Sequence, residues 1–462
     1  MRKTVVVLMA TMMVGMTIPA FAELKDVKVG GSLRMRGNWY SEEDLDFENG
    51  TSNDALFVEQ RTTVNVLASL TDDVSAFIEI DNYDFWGDDF RGLDADGVLT
   101  GVDGLGASED SSEFPCRGCI PGRGIQGVSG DDGSLALYQG YIEMKEVWSL
   151  PVSVRIGRQE IQLGSEFLIG NNDTGSSFRG LSFDSVTTST PLGDFTLQTW
   201  YAKLVRNNNP VRLESSGDIW FNGTSLSYAG FEGMTIDLYG IRYKASSNDV
   251  YEALGIPDSV QFYTAGLRFA GTKAHFDWDI EGAYQFGDSG LADVPGVSSD
   301  EVSAIGATAK AGYTFDVKMQ PRIFLNGAYF SGDEENPAFN RLFSDHEYSE
   351  FIDSTDLSNV WLVGGGVSAQ LTESLGLTGA VNYFQVVEDF GASDDDLGFE
   401  FALYASYQYS EELSFNAGYS HFMAGDGVED GQFVVASGTE AIGGAGEADD
   451  LDYAFIETRI RF

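Results

Sequence analysis

Arg34 and Arg36 stand two residues apart in SLRMRGNW, with Met35 between them and Leu33 just before. At a two-residue period they share one face of an extended strand. The same parity sets Arg61, Arg155, Arg242, Lys244, Arg268, Arg322, Arg459 and Arg461 opposite apolar neighbours. Rows of guanidinium groups on one wall suit anion chemistry, because each fork of N–H donors matches a carboxylate or phosphate. The same rows can instead brace a wall by pairing with Glu59, Asp277, Asp279, Glu281 and Glu457, since enclosed charges require partners.

Other reactive groups are few. Cys116 and Cys119 form one CxxC in SSEFPCRGCIPGRG, which suits a redox pair, half a zinc site or a small disulfide closing a loop tip. No second CxxC or nearby His completes a metal site, and outside the cytosol a disulfide is chemically favoured. His275, His346 and His421 are the three histidines. None is accompanied by GxSxG, HExxH or a comparable block, so no catalytic constellation is expected. Ser420 and His421 are adjacent, and neighbours on a strand point to opposite faces.

The elements that would position these groups are strands. The final residues YAFIETRIRF put Ala454, Ile456, Thr458, Ile460 and Phe462 on one face and Tyr453, Phe455, Glu457, Arg459 and Arg461 on the other. One apolar and one charged face suit a barrel wall between lipid and a wet lumen. The aromatic ending at Phe462 resembles the signal by which outer-membrane proteins are recognised for barrel insertion. At the other end, Arg2 and Lys3 precede an apolar run from Val5 to Ile18 and then Ala20-Phe21-Ala22. That is the layout of a signal peptide, residues 1–22, with the barrel expected over 23–462. After Ala22 no uninterrupted apolar stretch reaches the roughly 18 residues that a membrane helix requires.

Period-2 alternation predicts strands near 26–39, 56–70, 74–86, 134–146, 151–163, 178–190, 194–205, 217–229, 233–246, 259–270, 274–287, 301–315, 318–331, 358–371, 375–388, 397–409, 413–424 and 450–462. In AHFDWDIEGAYQF, Phe276, Trp278, Ile280, Tyr284 and Phe286 alternate with Asp277, Asp279, Glu281 and Gln285. So many large aromatics on one face suit lipid and its interfaces. Short turns such as LTDDVS and TPLGDF alternate with long polar loops. The expected fold is therefore all-β: a transmembrane antiparallel barrel of about 18 strands, with short periplasmic turns and long extracellular loops. The loop at 87–133 is far longer than an ordinary connection and would serve as a gate or a cover.

A net charge of -45 excludes nucleic acid as a ligand. Most of this charge falls in the long loops, including SEEDLDFEN, SGDEEN and EDFGASDDD. Such blocks suit either Ca²⁺ or Mg²⁺ or a solvated, self-repelling surface. None has EF-hand spacing, and no dedicated metal site or cofactor is expected.

LYQGYIEM, then LPVSVRIGRQEIQLGSEFLIGN and FRGLSFDSV, resemble the hallmark block of the alginate export family of outer-membrane porins. RIFLNGAYFSGDEENPAFNRLFSDHEY and DDVSAFIEIDNYDFWGDD resemble two further segments of that family. The resemblance implies an 18-stranded barrel that passes a polyuronate through an arginine-lined constriction. It adds Arg158, in GRQE beside Arg155, and Arg179 as lumen candidates.

The expected role is passive passage of hydrophilic, anionic solutes across a Gram-negative outer membrane. The partners are lipid, lipopolysaccharide, the barrel assembly machinery and the solute. The alternative is a barrel-anchored surface protein whose acidic loops bind cations or a partner. Oligomeric state leaves no mark in the sequence.

Overall fold

The computed structural model describes residues 25–41, 55–86, 135–173, 178, 180–205, 219–245, 260–289, 301–332, 337–351, 357–388, 394–429, 433–434, 441–442 and 450–462. The wall strands are β1 (Asp26–Tyr40), β2 (Ala55–Ser69), β3 (Val74–Phe85), β4 (Ala136–Met144), β5 (Ser153–Gln159), β6 (Phe183–Leu192), β7 (Phe195–Val205), β8 (Ile219–Tyr228) and β9 (Met234–Ala245). They continue as β10 (Val260–Lys273), β11 (Phe276–Asp288), β12 (Glu301–Thr314), β13 (Arg322–Phe330), β14 (Val360–Gln370), β15 (Leu375–Val386), β16 (Asp396–Gln408), β17 (Leu413–Ala424) and β18 (Leu451–Arg461).

Each strand pairs antiparallel with its neighbours in sequence, and β1 also pairs with β18, which closes the sheet. Closure satisfies every edge, which a β structure in lipid requires. The predicted strands are the observed ones to within a few residues at most ends. Short turns at one end alternate with long connections at the other.

Lipid dictates the alternation. Ile78, Ile142, Leu238, Leu267, Ile280, Ile305, Leu325, Val363, Leu403 and Ile456 are exposed on the outer wall. Exposed aromatics flank this aliphatic band, with Tyr201, Tyr284, Tyr329, Phe399 and Tyr419 toward the long loops and Phe195, Phe276, Tyr313, Tyr407 and Phe415 toward the short turns. Two girdles about an apolar band are the signature of a membrane barrel.

Two connections turn inward and correct the sequence expectation. β5 ends at Gln159 and β6 begins at Phe183, so residues 160–163, 178 and 180–182 do not belong to the wall. Gly164 and Glu166 adopt positive φ, 58° and 69°, which suits a turn and not a continuing strand. The inward segment 160–173 meets the described part of the β13–β14 connection inside the barrel. Phe343 N–H donates to Leu168 O and Gly170 N–H to Phe343 O, each at 2.8 Å, and Asp345 N–H donates to Glu166 O at 3.0 Å. Phe167, Leu168, Ile169 and Phe339 are essentially inaccessible. Phe343 sits edge-on to Phe183 and Phe221 of the wall, with ring centroids 5.1 and 4.8 Å apart. The hydrophobic core thus lies within the barrel, between the wall and these two segments.

The signal peptide 1–22, Cys116, Cys119, Arg179 and all of loop 87–133 lie outside the described residues.

Candidate functional site

The charged lumen is built on three adjacent strands. Arg34 on β1 pairs in register with Arg61 on β2 and with Arg459 on β18, so three guanidinium groups form one cross-strand row. Three like charges at strand spacing repel. One carboxylate resolves this. Asp173, carried by the first inward segment, lies 3.1 Å from Arg61 Nη1, 2.7 Å from Arg459 Nη2 and 3.8 Å from Arg34 Nη1.

The next row toward the long loops reads Glu59, Arg36, Glu457. Glu457 accepts from Arg34 Nε at 2.9 Å and from Arg36 Nη2 at 2.6 Å. Asp81 on β3 accepts two bonds from Arg61 at 3.1 and 3.2 Å. Four guanidinium groups thus face four carboxylates, Glu59, Asp81, Asp173 and Glu457. Three of those carboxylates belong to the wall and Asp173 alone to an inward segment.

Aromatic faces hold the cations flat. Arg34 lies over Phe178 at 4.2 Å, Arg36 over Phe455 at 4.5 Å and Arg61 over Tyr138 at 4.5 Å. Planar stacking restricts the guanidinium and turns its edge to the carboxylates, a geometry that suits a planar carboxylate. Below this wall a cavity of about 1350 Å³ extends toward the short-turn end, with Lys310, Arg322, Arg459, Arg461, Glu347 and Glu350 among its lining residues.

Gly180 sits against the row. Its φ is 71°, and a Cβ added there would stand 2.6 Å from both Arg61 Nη2 and Tyr138 Oη. Gly180→Ala is therefore expected to push Arg61 away from Asp173 and to strain the backbone by about 1–3 kcal/mol. A lower unfolding temperature together with reduced anion preference checks this; wild-type values for both would contradict it.

The other lumen arginines brace the wall. Arg268 is enclosed by Asp237 at 2.9 Å, Asp279 at 2.7 Å and Glu281 at 3.8 Å. Glu281 also accepts from Ser165 Oγ at 2.6 Å, which ties the first inward segment to β11. Arg322 makes a two-pronged pair with Asp277 at 3.0 and 2.5 Å, and Arg155 pairs with Glu143 at 2.8 Å.

Three predicted lumen cations face the other way. Arg158 shares the face of exposed Ile156 and pairs with Asp184 at 2.9 Å on the outer wall. Arg242 and Lys244 share the face of exposed Leu238, whereas Asp237, Tyr239 and Ile241 point inward. Ser420 and His421 do diverge: Ser420 Oγ donates to buried Glu400, and His421 pairs with Asp452 on the outer side. His346, in the second inward segment, places Nε2 2.6 Å from Ser165 O and Nδ1 3.0 Å from Tyr348 Oη. The carbonyl can only accept, so Nε2 carries the proton and the ring fastens the two inward segments together.

Sequence reasoning missed Asp173, Asp81 and Gly180. Asp173 and Gly180 are the second and last residues of the NDTGSSFRG stretch that continues the hallmark block; their signal was position within that block. The acidic blocks at 42–49, 333–336 and 389–393 lie outside the described residues.

A closed barrel with a lipid-facing apolar band, two aromatic girdles and a charged lumen is the architecture of an outer-membrane channel. Residues 25–439 match the sequence profile described as alginate export. The chain belongs to that family. No curated protein matches it in sequence. In structure it is similar to Acinetobacter baumannii OccAB3, with a TM-score of 0.57 and 11% identity over 95% of this chain and 100% of that one. It is also similar to Pseudomonas aeruginosa OccK2 (OpdF) in complex with glucuronate, with a TM-score of 0.55 and 12% identity over 95% and 99% of the two chains. For Pseudomonas aeruginosa OccK11 (OpdR) the TM-score is 0.54, with 8% identity over 94% and 96%. At these identities the likeness is one of fold.

Proposed function

We propose that the barrel passes uronate-like anions, monomeric or polymeric, along the wall formed by β1, β2 and β18. The observation that carries this is the row of Arg61, Arg34 and Arg459 converging on one carboxylate, Asp173. A carboxylate already occupies the place where a solute carboxylate would sit, so the geometry for recognising one is preformed. Exchange of the loop carboxylate for that of the solute lets the anion bind without stripping the arginines of counter-charge. Such exchange keeps binding weak enough for release, as conduction requires. The glucuronate found with one structural neighbour supports the same class of solute.

The experiment is single-channel recording of the mature barrel in planar bilayers under a salt gradient, with glucuronate and then polyuronate titrated in. The expected result is anion preference with current reduced by each uronate and not by glucose. Cation preference with no uronate competition would overturn the proposal. Within this reading the barrel assembly machinery recognises Phe462, which is 68% exposed at the end of the closing strand.

A further inference from the structure

The outer wall carries an unusual run of cations. In the cross-strand register, Arg158 stands opposite Asp184, Asp184 opposite Lys203, Lys203 opposite Trp220, Trp220 opposite Lys244, and Lys244 opposite Gln261. Arg242 lies one outward step below Lys244, between Asn222 and Tyr263. All these side chains share the outward parity, because Phe183, Ala202, Phe221, Ile241 and Phe262 between them are buried on the inner side.

Among the described residues, every Arg or Lys on the outer face of the long-loop half of the wall lies on β5, β7 or β9. Elsewhere that outer rim is acidic, with Asp288 opposite Glu301 and Asp452 beside His421. Among the described residues the acid within the basic sector is Asp184, which is paired to Arg158.

Depth decides what such cations can meet. A charge facing lipid is costly at mid-membrane and nearly free at headgroup level, where aromatics also collect. Tyr201, Trp220 and Tyr263 surround these cations, and Lys203 Nζ lies 4.6 Å from the Trp220 ring. The row therefore sits at headgroup depth on the external side. Lys203 and Lys244 are two strands apart, about 10 Å, and Arg242 completes a triangle below them. A chain of net charge -45 that gathers cations on one membrane-facing sector has a local anion to match.

We propose that Lys203, Arg242 and Lys244 form a docking site on the outer wall for the phosphate groups of an outer-leaflet phosphorylated glycolipid, with Trp220 packed against its sugar. Two ammonium groups and a guanidinium fork suit two phosphates held at a fixed depth. The Arg242 guanidinium is oriented by Gln261, whose Oε1 accepts from Nη2 at 2.7 Å.

The test uses the full mature barrel in phosphatidylcholine nanodiscs doped with diphosphoryl lipid A, and counts lipid A retained per barrel by native mass spectrometry after detergent extraction. Retention should fall about fivefold for each cation removed among Lys203→Gln, Arg242→Gln and Lys244→Gln, since each basic residue at an anionic surface contributes a step of that order. Lys273→Gln, on the outer face at the short-turn end, should leave it unchanged. Dephosphorylated lipid A should not be retained. Wild-type retention by the single and triple variants, equal retention of dephosphorylated lipid A, or equal retention of phosphatidylglycerol would each overturn the proposal. The single substitutions keep the test decisive should the triple variant fail to fold.

Discussion

Replacing Asp173 by Asn should make the pore strongly anion-selective. The substitution keeps the size and one acceptor oxygen but removes the charge that Arg34, Arg61 and Arg459 share. Arg34 and Arg61 retain Glu457 and Asp81 on the wall, while the ion pair of Arg459 is to Asp173 itself. The row thus gains about one unit of positive charge facing the passage. For a solute ion about 7 Å away at an effective dielectric of about 40, that is about 1 kcal/mol, favourable to an anion and unfavourable to a cation, so the ratio of anion to cation permeability should rise about thirtyfold. Reversal potentials in a salt gradient measure it directly. Half-block by glucuronate should also move to lower concentration, because the internal competitor is gone. An unchanged reversal potential would show that the row does not face the conducting path.

The second large effect is expected at Phe343. Its ring is clamped edge-on between Phe183 and Phe221, and its backbone joins the two inward segments. Phe343→Ala should remove about 3–5 kcal/mol from the attachment of the second segment to the wall, the usual cost of deleting a buried aromatic. The strand ladder is untouched, so the barrel should form normally. Conductance should rise, with frequent switching between levels, and protease added from outside should cut within 331–359 while sparing the wall. Wild-type conductance together with wild-type protease resistance would mean that the inward segments are held by other contacts.

The wall was legible in the sequence because lipid imposes a two-residue rhythm along every strand. β11 shows why: Phe276, Trp278, Ile280, Tyr284 and Phe286 had nowhere to go but outward, which turns Asp277, Asp279 and Glu281 inward. The same rule misplaced Arg242 and Lys244. At the long-loop end of β7 to β9 the lumen is not water but the core made with the inward segments, so Ala202, Phe221 and Ile241 point inward. Membrane headgroups, not hydrocarbon, border the outside there. Apolar-out and polar-in reverses once the inside is drier than the outside. The inward turn after Gln159 was hidden for a related reason. IQLGSEFLIG is apolar enough to read as wall, and only the positive φ at Gly164 and Glu166 separates a plug from a strand. Of the charged row, the arginines were visible by parity. Asp173 was not, because a carboxylate delivered by a distant segment has no periodic relation to the strands it serves.

The seam between β1 and β18 carries one more consequence. Arg34 and Arg36 come from the first strand of the wall, and their shared partner Glu457 from the last. Until the two ends of the chain meet, both cations lack Glu457, although Glu59 of β2 already stands opposite Arg36, and Arg459 has not reached Asp173. Sealing the cylinder and completing its charge filter are therefore a single event, so a half-made barrel has no working filter and every sealed one already contains it.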